Sequence, residues 1–199
     1  PQIRTLETFK PAAITRIYSS DKELLAELFT QKRVPVPLHM IPHYLKEAVI
    51  ATEDRQFYEH TGVDLRGIFR AILRDIRAGE FVEGASTITQ QLAKTLFLTP
   101  RKSIMRKLKE AFLAFQIERR YTKDEILELY LNQVYFGSGA YGVEAAAQVF
   151  FKKSVEELPL SECALIAGLP KSPSRYSPLV NPSLALNRRA VVLNQMARK

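Results

Sequence analysis

Ala51-Thr52-Glu53-Asp54-Arg55-Gln56-Phe57-Tyr58-Glu59-His60-Thr61-Gly62-Val63-Asp64 begins where an apolar helical run, Leu45 to Val49, comes to its end. Two acids, Glu53 and Asp54, stand at that end. A carboxylate at a helix terminus, free to point inward, meets the requirement for proton transfer from a sugar hydroxyl. A Glu-Asp pair at a helix end is more often a solvated surface. The segments downstream give it another meaning.

The second segment runs from Glu83 to Leu96. Thr87 and Gln90 form a Thr-x-x-Gln capping box, so a helix is expected to start there. On that helix Thr87, Gln91 and Lys94 share one face, while Ile88, Leu92 and Thr95 lie on another and can pack. A stripe of hydroxyl, amide and ammonium suits a sugar-phosphate ligand, with Lys94 as a point charge for phosphate. In the third segment five cations fall between Arg101 and Lys109 with no acid among them. Ile104, Leu108, Ala111 and Phe115 recur at helical spacing and predict its core face. Arg106 and Lys107 are placed to meet Glu110 on one side of that helix. Alone, this is a basic solvated face. Beside the first two segments it supplies a second carboxylate among cations, a site for a substrate with both a sugar and a diphosphate.

With these residues the chain resembles the peptidoglycan glycosyltransferase domain of class A penicillin-binding proteins and their monofunctional relatives, from about Ile14 to Met196. The signatures are Glu-Asp-x-x-Phe-x-x-His-x-Gly at Glu53 to Gly62, Gly-x-Ser-Thr-Ile-Thr-Gln-Gln-Leu at Gly84 to Leu92, and Arg-Lys-x-x-Glu at Arg106 to Glu110. Lys-x-Glu-Ile-Leu-Glu-x-Tyr-Leu-Asn follows at Lys123 to Asn132, and Arg-Arg-x-x-Val-Leu at Arg188 to Leu193. One departure is Phe150-Phe151-Lys152-Lys153, where Lys152 replaces a turn glycine usual in the family. It is expected to touch local geometry rather than chemistry.

The resemblance implies a mainly α fold: a lysozyme-like helical lobe, a smaller membrane-facing jaw lobe and a short extended or β N-terminal segment. It implies polymerisation of lipid II into β-1,4-linked glycan, with inversion at the donor and release of undecaprenyl diphosphate. Glu53 matches the family's general base and Glu110 its second essential glutamate. Glu110 either orients the cations or holds a divalent metal such as Mg2+ on the diphosphate. Asp54, Phe57, His60, Ser86, Thr87, Gln91, Lys94, Lys102, Arg106 and Lys107 are the implied substrate-binding residues. For His60 a structural hydrogen bond is the better reading, because the mechanism already has its base. Asn132 reads as a supporting residue, and Arg188 and Arg189 as ties between the last helix and the core. The implied partners are lipid II and the lipid-linked glycan chain, the membrane surface, moenomycin-type inhibitors and a C-terminal transpeptidase domain in the full-length protein. The implied location is the extracytoplasmic, periplasmic face of the bacterial cytoplasmic membrane.

Composition agrees. The 199 residues suffice for one domain with a buried core, and a 46% hydrophobic content excludes a disordered chain. The net charge of +8 points to an anionic partner. The single cysteine, Cys163, sits in an apolar helical run and reads as a small buried hydrophobe. The three histidines show no metal-ligand spacing. No run approaches the ~18 apolar residues of a membrane span. The chain starts at Pro1 without a signal peptide and reads as a piece of a longer protein whose anchor lies outside it. Two rival readings are a lysozyme-type hydrolase, which also uses two carboxylates, and a non-enzymatic basic helical module. The hydrolase has no need for cations beside its second acid. The binding module would spread its cations along a face, and no nucleic-acid-binding motif is present.

The whole chain reads as one domain, with residues 1–38 extended or β and a jaw at roughly Asp75 to Met105. Ile14 to Tyr18 and Leu24 to Phe29 are expected strands around a Ser-Ser-Asp turn, and Val34 to Pro37 is extended. Pro42 suits the first turn of a helix. A capping box at Thr122 and Glu125 starts a helix that is expected to end near Gly137. Gly137 to Gly142 is then either a plain turn or a substrate-contacting one. Ser154 and Glu157 form a further capping box, Pro170 to Pro182 an irregular loop, and Asn181-Pro182 starts the last helix. Leu96-Phe97-Leu98, with Ile104 and Met105, either dips into lipid headgroups or fills the core.

Overall fold

The computed structural model describes residues 15–18, 24–28, 34–65, 67, 69, 86–98 and 103–198. About half of the expected jaw, residues 75–85 and 99–102, lies outside them. Strands β1 (Thr15–Tyr18) and β2 (Leu24–Leu28) pair antiparallel. The extended segment 34–37 leads through a single 3₁₀ turn, Leu38–Met40, into α1 (His43–Glu53). Pro42 is the N-cap of α1, one position before its first turn. There its missing N–H costs no helical hydrogen bond.

Six further helices follow among the described residues: α2 (Ile88–Phe97), α3 (Ile104–Glu118), α4 (Lys123–Gln133), α5 (Val143–Phe151), α6 (Leu160–Gly168) and α7 (Pro182–Ala197). All three expected capping boxes form. Thr87 and Thr122 accept from the backbone N–H of Gln90 and Glu125, whose side chains reach back to the cap. The box at Ser154 and Glu157 starts only the 3₁₀ turn Val155–Glu157. Helix α4 ends at Gln133, earlier than expected, because Tyr135–Gly137 (β3) and Ala140–Tyr141 (β4) fold into a hairpin. Ser138 and Gly139 take positive φ at its tip, as a tight two-residue turn requires.

Two helix groups pack around a common core. α1, α6 and α7 pack on one another, and α2 packs on α3 and α4. Helix α6 is buried on every side from Cys163 to Gly168, so its nearly continuous apolar sequence is that of a central helix. The Cys163 thiol donates to Leu158 O at 3.4 Å, and burial pushes its pKa up to about 12. It is an inert core side chain, as expected.

Helix α3 reverses an expectation. Its buried face is Glu110, Leu113, Ala114 and Ile117. The predicted core residues Ile104, Leu108 and Phe115 are 84%, 61% and 47% exposed, and Phe112 is 61% exposed. The helix has two apolar stripes, and periodicity alone does not say which one meets the core. Small Ala114 faces inward because the chain at Gly62 crosses directly over it. Conversely, Leu96, Phe97 and Leu98 pack half-buried against the core, while Thr95 is exposed and bonds back to Gln91 O.

Asn132 secures the N-terminal strap. Its amide accepts from Val36 N at 2.9 Å and donates to Val36 O at 2.8 Å. Glu128 accepts from Leu38 N at 2.7 Å. The pattern imitates a β-ladder and satisfies backbone groups that prolines 35 and 37 keep out of regular structure.

Lys152 caps α5 in the left-handed conformation, with φ 58° and ψ 32°. An L-residue pays roughly 1–2 kcal/mol there, offset in glycine by about 0.4–1 kcal/mol of extra unfolded-chain freedom. Lys152→Gly is therefore expected to stabilise the fold by about 0.5–1 kcal/mol and to raise the thermal midpoint by about 1–4 °C. A lower midpoint on calorimetry would show that the lysine side chain outweighs its strained backbone.

Candidate active site

The first motif folds into a buried knot at the start of α2. Asp54 leaves α1 with non-helical backbone and turns its carboxylate inward. Ile88 N donates to it at 3.0 Å, and His60 Nε2 lies 2.9 Å away. A negative charge at a helix N-terminus is favoured by the unpaired N–H groups there. Gly62 N donates to His60 Nδ1 at 3.1 Å, which assigns the ring proton to Nε2 and makes it the donor to Asp54. Gly62 O accepts from the Thr87 hydroxyl at 2.7 Å. Phe57 is wholly buried under this knot. Lys123 Nζ sits 4.6 Å above its ring and donates to His60 O and Glu118.

Glu53, the last residue of α1, is half-buried at the rim of the knot. Gln91 Nε2 donates to its Oε2 at 2.8 Å, and Tyr130 donates to Gln91 Oε1 at 3.2 Å. Burial raises the Glu53 pKa above the ordinary 4.5; the Gln91 hydrogen bond opposes this, as do the cations of Arg188, Lys171 and Lys94. A carboxylate shifted toward neutrality is a better proton acceptor than an ordinary one. Burial and the nearby charges of Glu53 and Asp54 keep the Tyr130 hydroxyl protonated well beyond its ordinary range.

The third motif makes a second cluster. Arg106 and Lys107 both donate to Glu110, one to each oxygen, and Lys107 also reaches Ser86. The Glu110 side chain is almost fully buried, whereas that of Lys107 is about half exposed. Glu110 therefore holds two cations in place, the mostly buried Arg106 and, at the surface, Lys107. Because both its oxygens carry a cation, it does not fit a metal ligand. Among the described residues no group of three His, Cys, Asp or Glu side chains could hold one.

The structure brings Glu53, Gln91 and Lys94 together, and separately Ser86, Arg106, Lys107 and Glu110. Asp54, Phe57 and Thr87 were expected to touch substrate, but they are buried. Their polar groups serve the turn and the helix cap, because a side chain that caps a helix has its hydrogen bonds already placed. His60 is hydrogen-bonded through both ring nitrogens and is structural, as expected. Lys102 lies outside the described residues. Sequence reasoning missed Tyr130 and Lys171. Tyr130 reads as one more apolar residue of α4, and Lys171 as a lone cation in a proline-rich loop. Arg188 ties α7 to α6 through a hydrogen bond to Gly168 O at 3.2 Å, as expected, and it also faces Glu53.

Exposed cations facing a carboxylate of raised pKa have no work to do in hydrolysing a neutral glycan. They suit transfer from a phosphorylated sugar donor, the chemistry of a glycosyltransferase. A family model described as Transglycosylase matches residues 21–197, and the chain belongs to that family. It is 53% identical to penicillin-binding protein 1A of Escherichia coli strain K12, covering 98% of this chain and 23% of that protein. It is 50% identical to penicillin-binding protein 1A of Aquifex aeolicus strain VF5, over 98% of this chain and 27% of that protein. Penicillin-binding protein 1F of Bacillus subtilis strain 168 is 48% identical over 92% of this chain and 26% of its own length. The crystal structure of penicillin-binding protein 1A from Haemophilus influenzae matches with a TM-score of 0.51 and 31% identity, covering 94% of this chain and 18% of that one. The chain thus spans about a quarter of the length of these curated relatives.

Proposed function

We propose that this chain polymerises lipid II into β-1,4-linked glycan at the extracytoplasmic face of the bacterial membrane, as one domain of a longer protein that also carries a transpeptidase. The arrangement around Glu53 carries this reading: a carboxylate of raised pKa, held by Gln91, with cations facing it. Glu53 takes the proton of the acceptor hydroxyl as its oxygen attacks the anomeric carbon of the donor. The bond from that carbon to the diphosphate breaks, and its electron pair leaves on the diphosphate. Attack from the opposite face inverts the α-linked donor. The leaving group needs charge neutralisation more than a proton. Lys94, with Arg106 and Lys107 held by Glu110, supplies it, and the same cations suit the phosphate of moenomycin-type inhibitors. Incubation with labelled lipid II and gel separation of the products tests the reading. Glycan polymer is the expected result. Fragments released from preformed glycan, with lipid II untouched, would favour a hydrolase.

The lipid tail of such a substrate stays in the bilayer, so the site must come to the surface. The exposed apolar face of α3, Ile104, Met105, Leu108, Phe112 and Phe115, alternates with exposed Lys107 and Lys109, the pattern of a helix lying in the headgroup region. Replacing Leu108 and Phe112 with Ser is expected to weaken binding to anionic liposomes several-fold, while the thermal midpoint stays within about 2 °C because little buried area is lost. A large fall in the midpoint with liposome binding intact would place this face in the fold instead. Among the described residues no helix is long and apolar enough to cross a membrane.

A further inference from the structure

We infer that Tyr130 is a positioning residue for the general base, acting through the amide of Gln91; this rests on the reading of Glu53 as that base. A glutamine amide has a donor end and an acceptor end, and only one orientation serves here. Its Nε2 donates to Glu53 Oε2 at 2.8 Å, and its Oε1 accepts from the Tyr130 hydroxyl at 3.2 Å. The flipped amide would set Oε1 against the carboxylate, where two acceptors repel. Tyr130 is buried in the last turn of α4, so its hydroxyl has a fixed place. Among the described residues no hydrogen bond reaches the other oxygen of Glu53. The chain from Tyr130 through Gln91 to Oε2 therefore holds the carboxylate by one oxygen and leaves Oε1 to the acceptor hydroxyl. Because the Tyr130 hydroxyl stays protonated far above neutrality, it remains a donor throughout the working range. Lys94 from α2, Lys171 from the loop and Arg188 from α7 also face Glu53, and Asp54 adjoins it. These charges set the field, whereas the Gln91 amide sets the direction.

The test is steady-state polymerisation of lipid II across pH by the parent, Tyr130→Phe, Gln91→Ala and the double variant. Phe fills the volume of Tyr and removes only the hydroxyl. Tyr130→Phe is expected to lower kcat about tenfold with KM changed less than about twofold, the scale of a misaligned catalytic group. The acid limb of its profile should move to higher pH, because a loosened amide no longer favours the charged carboxylate. The position of that limb does not depend on how much of the variant is folded. In the Gln91→Ala background Tyr130→Phe should cost nothing more, since both changes break one chain. An unchanged kcat and acid limb, or a full additional loss in that background, would overturn the inference. A fully active Glu53→Gln variant would instead overturn the base reading beneath it. An inactive Glu53→Gln with an unaltered Tyr130→Phe overturns only the role of Tyr130.

Discussion

Glu53→Gln is expected to polymerise lipid II at least ~100-fold more slowly than the parent, the scale of general-base catalysis. The amide keeps the shape and can still accept from Gln91, so binding of a donor analogue should survive. The same substitution should stabilise the fold at neutral pH. Folding raises the pKa of Glu53 above the ordinary 4.5, so the folded state disfavours the ionised form. The contribution of this group to stability is fully present below pH 4.5 and is lost as pH rises through the folded-state value. Gln is uncharged at every pH. The variant should therefore melt higher than the parent at pH 7, and the difference should vanish below pH 4.5. Parental activity depends on the ionised form and should fall as pH drops through the same raised value. Near-parental polymerisation by the variant, measured on gels, would remove Glu53 as the base. A variant that melts lower at pH 7 would show that the facing cations outweigh burial.

Gly62→Ala is expected to be the most damaging small change in the first motif. Gly62 has φ +96°, and a Cβ there would lie 2.9 Å from the carbonyl carbon of Ala114 and 3.0 Å from Phe115 N. These are backbone atoms of α3 and cannot swing aside. The left-handed backbone costs about 1–2 kcal/mol for an L-residue and the overpacking about 1–3 kcal/mol. A total near 3 kcal/mol should lower the thermal midpoint by about 6–12 °C. The displaced turn also carries His60 and the acceptor for the Thr87 cap, so polymerisation should fall with stability. A midpoint unchanged within error would show that α3 yields at this crossing.

The third position of His-x-Gly is thus a packing requirement. Apart from Tyr130, the fourth motif is likewise architectural. Its Lys123 ties to His60 O and Glu118, its Glu128 and Asn132 hold the strap, and its Tyr130 meets Gln91. The fifth motif supplies Arg188, which binds Gly168 O where a larger residue than glycine would collide with its side chain.

The sequence by itself determined what is local. Helix starts at Thr87 and Thr122 follow from capping chemistry acting over three residues. The end of α1 beside two acids, and the pairing of Arg106 and Lys107 with Glu110 on one helix, follow from helical spacing. These were legible because each interaction is made within a turn or two of chain. Only the tertiary structure decided which apolar stripe of α3 faces inward. It also decided which motif residues cap helices rather than face a ligand. It alone showed that Tyr130 and Lys171, from distant segments, converge on Glu53. Periodicity defines a face but not its neighbour. Burial, which raises the pKa of Glu53 and encloses Asp54, Phe57 and Thr87, is a property of the packed helices together.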